Sequence, residues 1–105
     1  MKTSHAAYDI KTVAACYNRK GCQTTRSVIQ LLNNHGFDSD EVIAATLESI
    51  IKGEAQFYKS MRLDKVPGIM ADVYYSYCLD DVWYVKFYID EDVIVLSCKP
   101  KDENW

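Results

Sequence analysis

Apolar residues in the first half of the chain are spaced three and four positions apart. This spacing lines one face of an α-helix, and it occurs in three separate stretches. A glycine follows each stretch, where a helix commonly ends in a left-handed residue that costs glycine least. The pattern therefore predicts three helices. The stripes are Ile10, Val13, Ala14 and Tyr17; Val28, Leu31 and Leu32; and Ile43, Leu47, Ile50 and Ile51, followed by Gly21, Gly36 and Gly53 respectively.

Capping residues mark where two of these helices begin. Thr25 precedes the second stripe, and its hydroxyl can accept a hydrogen bond from a free backbone N–H of the first turn. Asp38 and Glu41 precede the third stripe with the spacing of a capping box. We therefore expect the second and third helices to begin at Thr25 and Asp38.

The periodicity changes near Gln56, where alternation and β-branched or aromatic residues replace the helical stripe. Turn-forming residues divide this half into four strands. Short turns of this kind join antiparallel neighbours, because a parallel connection needs a long crossover. The predicted strands cover about 57–62, 69–79, 82–89 and 93–99, separated by Pro67-Gly68, Asp80-Asp81 and Asp90-Glu91-Asp92.

Alternation in the last two strands predicts two different faces. Trp83, Val85, Phe87 and Ile89 share one face of the third strand, and Tyr84, Lys86 and Tyr88 share the other. In the last strand, alternation sets Ile94, Leu96 and Cys98 opposite Val93, Val95, Ser97 and Lys99. In an alternating strand, Lys59 would share a face with the apolar residues Phe57 and Met61. Alternation therefore does not decide which face the charged Lys59 side chain lies on.

These elements predict one α+β domain over residues 1–105, with three N-terminal helices packed on one face of a C-terminal antiparallel β-sheet. The Trp83 face would lie beneath the helices, and a face of tyrosines and lysines would stay open. Sheet propensity or a protein interface, including a homodimer contact, also accounts for such a face.

Composition narrows the class of protein. A hydrophobic fraction of 49% and a charged fraction of 26% are ordinary for a globular domain. No apolar run is long enough to cross a bilayer, and the first residues lack the apolar core of a secretory signal, so we expect a cytoplasmic protein. The net charge of −3 does not give the basic surplus of a general nucleic-acid binder, although a local cationic site remains compatible with it.

The cysteines and histidines do not predict a metal centre. Cys16, Cys22, Cys78 and Cys98 include no pair with zinc-knuckle spacing, and thiols of a reducing compartment usually stay free. We therefore expect free thiols, no metal site and no cofactor.

An open face of tyrosines and lysines suits single-stranded RNA, because tyrosines stack on bases and lysines attract phosphates. RNA can be cut without metal when its 2′-hydroxyl attacks the adjacent phosphorus. The protein must then supply a proton acceptor, a proton donor and a cation. Tyrosine and lysine can fill these roles if neighbouring cations lower their pKa values toward neutrality.

Five stretches resemble the motility quorum-sensing regulator (MqsR) toxins. The run Phe57-Tyr58-Lys59-Ser60-Met61 is similar to that family's Phe-Tyr-Lys-Ser-Met signature, and the order and spacing hold from about Tyr8 to Lys101. The other four stretches are Thr24-Thr25-Arg26-Ser27, Asp72-Val73-Tyr74, Tyr84-Val85-Lys86 and Val93 to Lys99.

The resemblance implies a RelE-like fold and the toxin of a type II toxin-antitoxin system. Such a toxin is a metal-independent mRNA endoribonuclease that inhibits translation and growth, and a cognate antitoxin neutralises it; ribosome association is left open. The family's active-site lysine, tyrosine and C-terminal lysine fall on Lys59, Tyr84 and Lys99. The candidate RNA-binding residues beside these three catalytic candidates are Lys86, Tyr75 and Tyr88.

Two positions depart from the family pattern. Ala71 replaces a glutamine before Asp-Val-Tyr, and Tyr75 replaces an arginine after it. These changes bear on RNA sequence preference and on the rate of cutting. Ala71 and the net charge of −3 motivate a second hypothesis, in which the chain is a non-catalytic binding module of the same fold that pairs with an antitoxin-like protein.

Overall fold

The computed structural model describes residues 2–3 and 5–105. Three helices precede most of a sheet whose strand order is β1-β3-β4-β5-β6-β2. The helices are α1 (Ile10–Lys20), α2 (Arg26–Asn34) and α3 (Ser39–Ile51). The strands are β1 (Lys2–Thr3), β2 (Cys22–Thr24), β3 (Ala55–Arg62), β4 (Met70–Cys78), β5 (Asp81–Asp90) and β6 (Asp92–Pro100).

The three predicted helices and the two predicted N-caps are confirmed. The Thr25 hydroxyl accepts a hydrogen bond from the backbone N–H of Val28, and the Asp38 carboxylate accepts from the N–H groups of Asp40 and Glu41. The predicted glycines follow the helices with positive φ angles, and at the end of α1 the N–H of Gly21 donates to the carbonyl of Tyr17. Local sequence therefore fixes where these helices begin and end.

The four predicted strands are also confirmed, and β3 to β6 pair in antiparallel order. The sheet as a whole is mixed, because β2 pairs in parallel with β6 through Cys22 and Val93. β1 adds an antiparallel edge beside β3. The prediction of an all-antiparallel sheet is therefore wrong at β2. The sequence did not predict β1 or β2, which are two and three residues long and too short for alternation to reveal them.

The core lies between the helices and one face of the sheet. Trp83, Val85 and Phe87 are fully buried there, against helix residues that include Leu32 and Leu47. Burial of this stripe confirms the predicted orientation of β5. It leaves the opposite side chains of β5 on the open face.

A β-bulge corrects the prediction for β6. Lys86 pairs with Ser97 but Phe87 pairs with Val95, which leaves Leu96 as an extra residue in β6. Val95 and Cys98 consequently both face the helices, whereas strict alternation would place them on opposite faces. Lys99 pairs with Tyr84 on the open face. Val95, which alternation groups with Lys99, lies on the helix side instead.

A buried carboxylate ties the segment before α1 to the sheet. Asp72 on β4 is fully buried on the helix side and accepts hydrogen bonds from the N–H groups of Ala7 (2.9 Å) and Tyr8 (3.0 Å). The Tyr8 hydroxyl donates to the carbonyl of Met70 at 2.8 Å. Asp72 therefore has a structural role in the Asp-Val-Tyr stretch.

Over residues 2–3 and 5–105, the structure contains no helix that is both long and apolar enough to span a membrane.

Candidate functional site

The open face of the sheet carries two rows of paired side chains. In one row Tyr75 of β4 pairs with Tyr84 of β5, and Tyr84 pairs with Lys99 of β6. In the other row Lys59 and Lys86 flank Val73, which is fully buried and forms the floor between them. We name this surface, comprising Lys59, Tyr75, Tyr84, Lys86 and Lys99, the lysine–tyrosine face.

A β-bulge in β3 turns Lys59 onto this face. Phe57 pairs with Tyr74 on the helix side, and the next register pair joins Lys59 to Val73 on the open side. Tyr58 is the extra residue between these two pairs. Because of this bulge, Lys59 and Phe57 lie on opposite faces of the sheet although they are two residues apart. Lys59 therefore lies on the open face, which alternation alone does not decide.

Sheet geometry sets the spacing of the catalytic candidates. Lys59 and Tyr84 lie two strands apart, which corresponds to about 10 Å across the sheet, and their rows differ by two residues, or about 7 Å along it. Long side chains from these positions can reach a shared anion between them. The structure thus brings Lys59, Tyr84 and Lys99 to one surface.

Three lysines lie close to three neighbouring tyrosine rings. The rings of Tyr58 and Tyr75 stack at 5.0 Å with an interplanar angle of 21°, and the Tyr75 and Tyr84 ring centroids are 6.3 Å apart. Each ring has an ammonium group within 6 Å, a distance typical of cation–π contacts. The Nζ-to-centroid distances are 5.1 Å for Lys59 and Tyr58, 5.7 Å for Lys99 and Tyr84, and 5.2 Å for Lys101 and Tyr75.

The lysines of this face lack acidic partners. Among side chains of residues 5–105, the one ion pair within 4.0 Å is Lys101–Asp102, at 3.8 Å near the C-terminus. Lys59, Lys86 and Lys99 therefore keep positive charge that no neighbouring carboxylate neutralises at short range. This local charge contrasts with the net charge of −3 for the whole chain.

The pKa of Tyr84 moves away from neutrality. Burial is the largest cause of its increase above the usual value of 10.0, and the neighbouring Tyr75 and Tyr58 raise it further. Tyr84 therefore does not meet the condition that nearby cations lower its pKa toward neutrality. At neutral pH Tyr84 keeps its proton, so in the free protein it can donate a proton but is a poor acceptor.

The candidate RNA-binding residues divide between two places. Tyr75 lies in the row with Tyr84, and Lys86 lies in the row with Lys59. Tyr88 follows two residues after Lys86 on β5, and both line a groove of about 410 Å³ beside the β3–β4 loop. Lys86 thus connects the lysine–tyrosine face to this groove.

Two residues of the site were not identified by the sequence analysis. Tyr58 lies within the five-residue signature, but its place in the ring stack depends on a bulge that the sequence does not reveal. Lys101 follows the predicted last strand, and its backbone N–H donates to the carbonyl of Val82 at 2.7 Å. This bond keeps the chain beside β5, with the Lys101 ammonium near Tyr75.

The cysteines lie apart from the lysine–tyrosine face and carry free thiols. Burial raises the pKa of Cys98 to about 12, and the buried Cys16 thiol donates to the carbonyl of Glu91. Within the described ranges, no three His, Cys, Asp or Glu side chains converge as metal ligands.

Comparison with known proteins gives a family match that covers nearly the whole domain. No curated protein gives a significant match to this chain. A family model described as "Motility quorum-sensing regulator, toxin of MqsA" matches residues 5–100. The matched range contains all five stretches that carry the resemblance in the sequence and confirms that resemblance.

Proposed function

Because the chain belongs to the motility quorum-sensing regulator family, the toxins of MqsA, we propose that it is a metal-independent mRNA endoribonuclease. Membership of the family indicates a toxin of a toxin-antitoxin system with an antitoxin as its partner. In our proposal the toxin acts in the cytoplasm and cuts messenger RNA, free or on the ribosome. Translation and growth stop until the antitoxin binds.

The observation that carries the proposal is a set of lysines without acidic partners beside tyrosine rings. Lys59, Lys86 and Lys99 present positive charge on one face, with no carboxylate of the described residues within 4.0 Å. A phosphodiester brings the negative charge that this face lacks, and its flanking bases can stack on exposed tyrosine rings. The same lysines stabilise the additional charge of a phosphorane-like transition state.

In the proposed reaction the RNA 2′-hydroxyl oxygen forms a bond to the adjacent phosphorus as the bond from phosphorus to the 5′-oxygen breaks. Lys59 and Lys99 hold the phosphate oxygens. Tyr84 donates its proton to the leaving 5′-oxygen; it carries that proton at neutral pH because its pKa lies above the usual 10.0. The five residues of the lysine–tyrosine face include neither a carboxylate nor an imidazole, so we assign the 2′-hydroxyl proton to solvent water.

One observation favours the binding module as a second candidate function. Ala71 stands where the family has a glutamine, and it is fully buried beside Met61 in the strand pair β3–β4. Its methyl group cannot hydrogen-bond RNA or the reacting phosphate. A chain without that contact can still pair with an antitoxin while it cuts RNA slowly or not at all.

Growth after induced expression distinguishes the two functions. The ribonuclease should arrest growth, and Lys59→Ala and Tyr84→Phe should each relieve the arrest, because loss of one charge-stabilising or proton-donating group typically costs about 100-fold in rate. Lys20→Ala is the matched control, since Lys20 is an exposed lysine at the end of α1. Each purified variant is checked for a cooperative unfolding transition.

Two results would contradict the proposal. Folded variants at Lys59 and Tyr84 that remain as toxic as the parent protein would remove the assigned site. A parent protein that binds an antitoxin but does not arrest growth would favour the binding module.

A further inference from the structure

A groove of about 410 Å³ lies next to the lysine–tyrosine face. Its walls come from the end of β3, from the loop 63–69 that joins β3 to β4, and from the neighbouring strands β5 and β6. The volume falls within the range of about 300–1,000 Å³ that is usual for sites of small organic ligands. The groove is therefore large enough to hold a flat ring.

The walls of the groove are mainly apolar. Leu63 and Val66 contribute from the loop, and Val66 is 38% exposed. Leu96 contributes from the opposite side, at the position where the β6 bulge adds a residue. Tyr88 supplies an aromatic ring. Apolar side chains with one aromatic ring at a solvent-facing groove suit the stacking of a base, which is sequence-tolerant and needs few hydrogen bonds.

Charge around the groove selects for an anionic ligand. Three basic side chains line it, Arg62, Lys65 and Lys86, against one acidic side chain, Asp64. This local excess of positive charge occurs in a chain whose net charge is −3. A purely apolar ligand would gain nothing from these cations, whereas a nucleotide offers a ring to the walls and a phosphate to the rim.

The groove continues the proposed catalytic surface along β5. Tyr84, Lys86 and Tyr88 follow one another at two-residue intervals, which correspond to steps of about 7 Å. Tyr84 belongs to the proposed reaction, and Tyr88 lines the groove. Lys86 lies between them, where it can hold the phosphate that links two successive nucleotides.

We propose that this groove binds one base of single-stranded RNA, adjacent to the nucleotide at which the chain is cut. The base packs against Leu63, Val66, Tyr88 and Leu96, and Lys86 holds its phosphate. The inference rests on the proposed ribonuclease function, whose substrate path it extends by one nucleotide.

The direct test uses a short 2′-O-methyl RNA oligonucleotide, which lacks the attacking hydroxyl and stays intact on the parent protein. Methyl NMR signals of Leu63, Val66 and Leu96 should shift as this RNA is added. The signal of Leu79, an exposed leucine outside the groove, should stay in place. An abasic oligonucleotide of equal length keeps the phosphates and should leave the groove signals unshifted.

A pair of tyrosine variants measures the contribution of the groove. Tyr88→Ala should weaken binding of the oligonucleotide by about tenfold, because base–aromatic stacking contributes that much or more in single-strand binders. Tyr77→Ala is the matched control: Tyr77 is 50% exposed on β4 outside the groove, and its hydroxyl donates to Gln56. The control should bind within about twofold of the parent protein.

The outcomes separate the two proposals. Groove signals that remain in place while RNA is bound, or equal affinities for Tyr88→Ala and Tyr77→Ala, would overturn the groove assignment even if the protein cuts messenger RNA. Groove signals that shift in a protein without cleavage activity would keep the base site and remove the ribonuclease.

Discussion

The buried carboxylate of Asp72 allows a quantitative prediction about stability. Asp72→Asn keeps the shape of the side chain but replaces one acceptor oxygen with an amide NH₂. One of the hydrogen bonds to the N–H groups of Ala7 and Tyr8, now 2.9 and 3.0 Å long, must therefore break. The new NH₂ group also faces a backbone donor instead of an acceptor.

The expected size of the loss follows from these two contacts. A hydrogen bond to a charged group contributes about 1.5–3 kcal/mol, and a donor left without a partner costs about 1–3 kcal/mol when fully buried and less in the part-buried contacts of Ala7 and Tyr8. We expect Asp72→Asn to lower the free energy of unfolding by about 2–4 kcal/mol, which corresponds to a fall in Tm of roughly 10–20 °C for a domain of this size.

Thermal unfolding and amide hydrogen exchange measure this effect together. In Asp72→Asn the amide protons of Ala7 and Tyr8 should exchange much faster than in the parent protein. Asp80→Asn is the control, because Asp80 is an exposed turn residue with φ 58°, a conformation that asparagine also tolerates. It should change stability by less than about 0.5 kcal/mol. A Tm that Asp72→Asn leaves unchanged, with equal exchange at Ala7 and Tyr8, would refute the role assigned to Asp72.

Two further predictions follow from buried titratable groups. Burial raises the pKa of Cys98 to about 12, so iodoacetamide should modify Cys98 slowly at pH 8 in the native protein and quickly after denaturation, as read by mass spectrometry. Equal rates in the two states would contradict its burial. Burial also raises the pKa of Tyr74 to about 12 from 10.0, so the stability that it contributes is present below pH 10 and is lost as the pH rises toward 12. Tyr74→Phe should therefore lose unfolding free energy less steeply between pH 10 and 12 than the parent protein, and identical slopes in urea titrations would contradict this.

Local signals explain which parts of the fold the sequence predicts. Thr25 and Asp38 cap their helices through bonds that reach no farther than three residues, so their roles are readable without tertiary structure. The face of Trp83 is readable because β5 alternates regularly along its length. β1 and β2 are different, since two or three residues become strands only through partners far away in the chain.

The site is predictable only in part for the same reason. Tyr84 and Lys86 reach the open face by simple alternation, as expected. Lys59 and Lys99 reach it through bulges in β3 and β6, and bulges depend on pairing between strands. Alternation put Lys99 on the same face of the last strand as Val95, and the structure separates the two residues. The pKa of Tyr84 depends on burial and on Tyr75 and Tyr58, which no spacing rule predicts.

Cleavage of a defined messenger RNA by the purified protein in EDTA tests the proposed ribonuclease most directly. We predict discrete cuts that persist in EDTA, leave 2′,3′-cyclic phosphate ends and fall by about 100-fold in Lys59→Ala but not in Lys20→Ala. Intact RNA after incubation with folded protein, with and without ribosomes, would contradict this proposal, as would cuts that survive unchanged in Lys59→Ala.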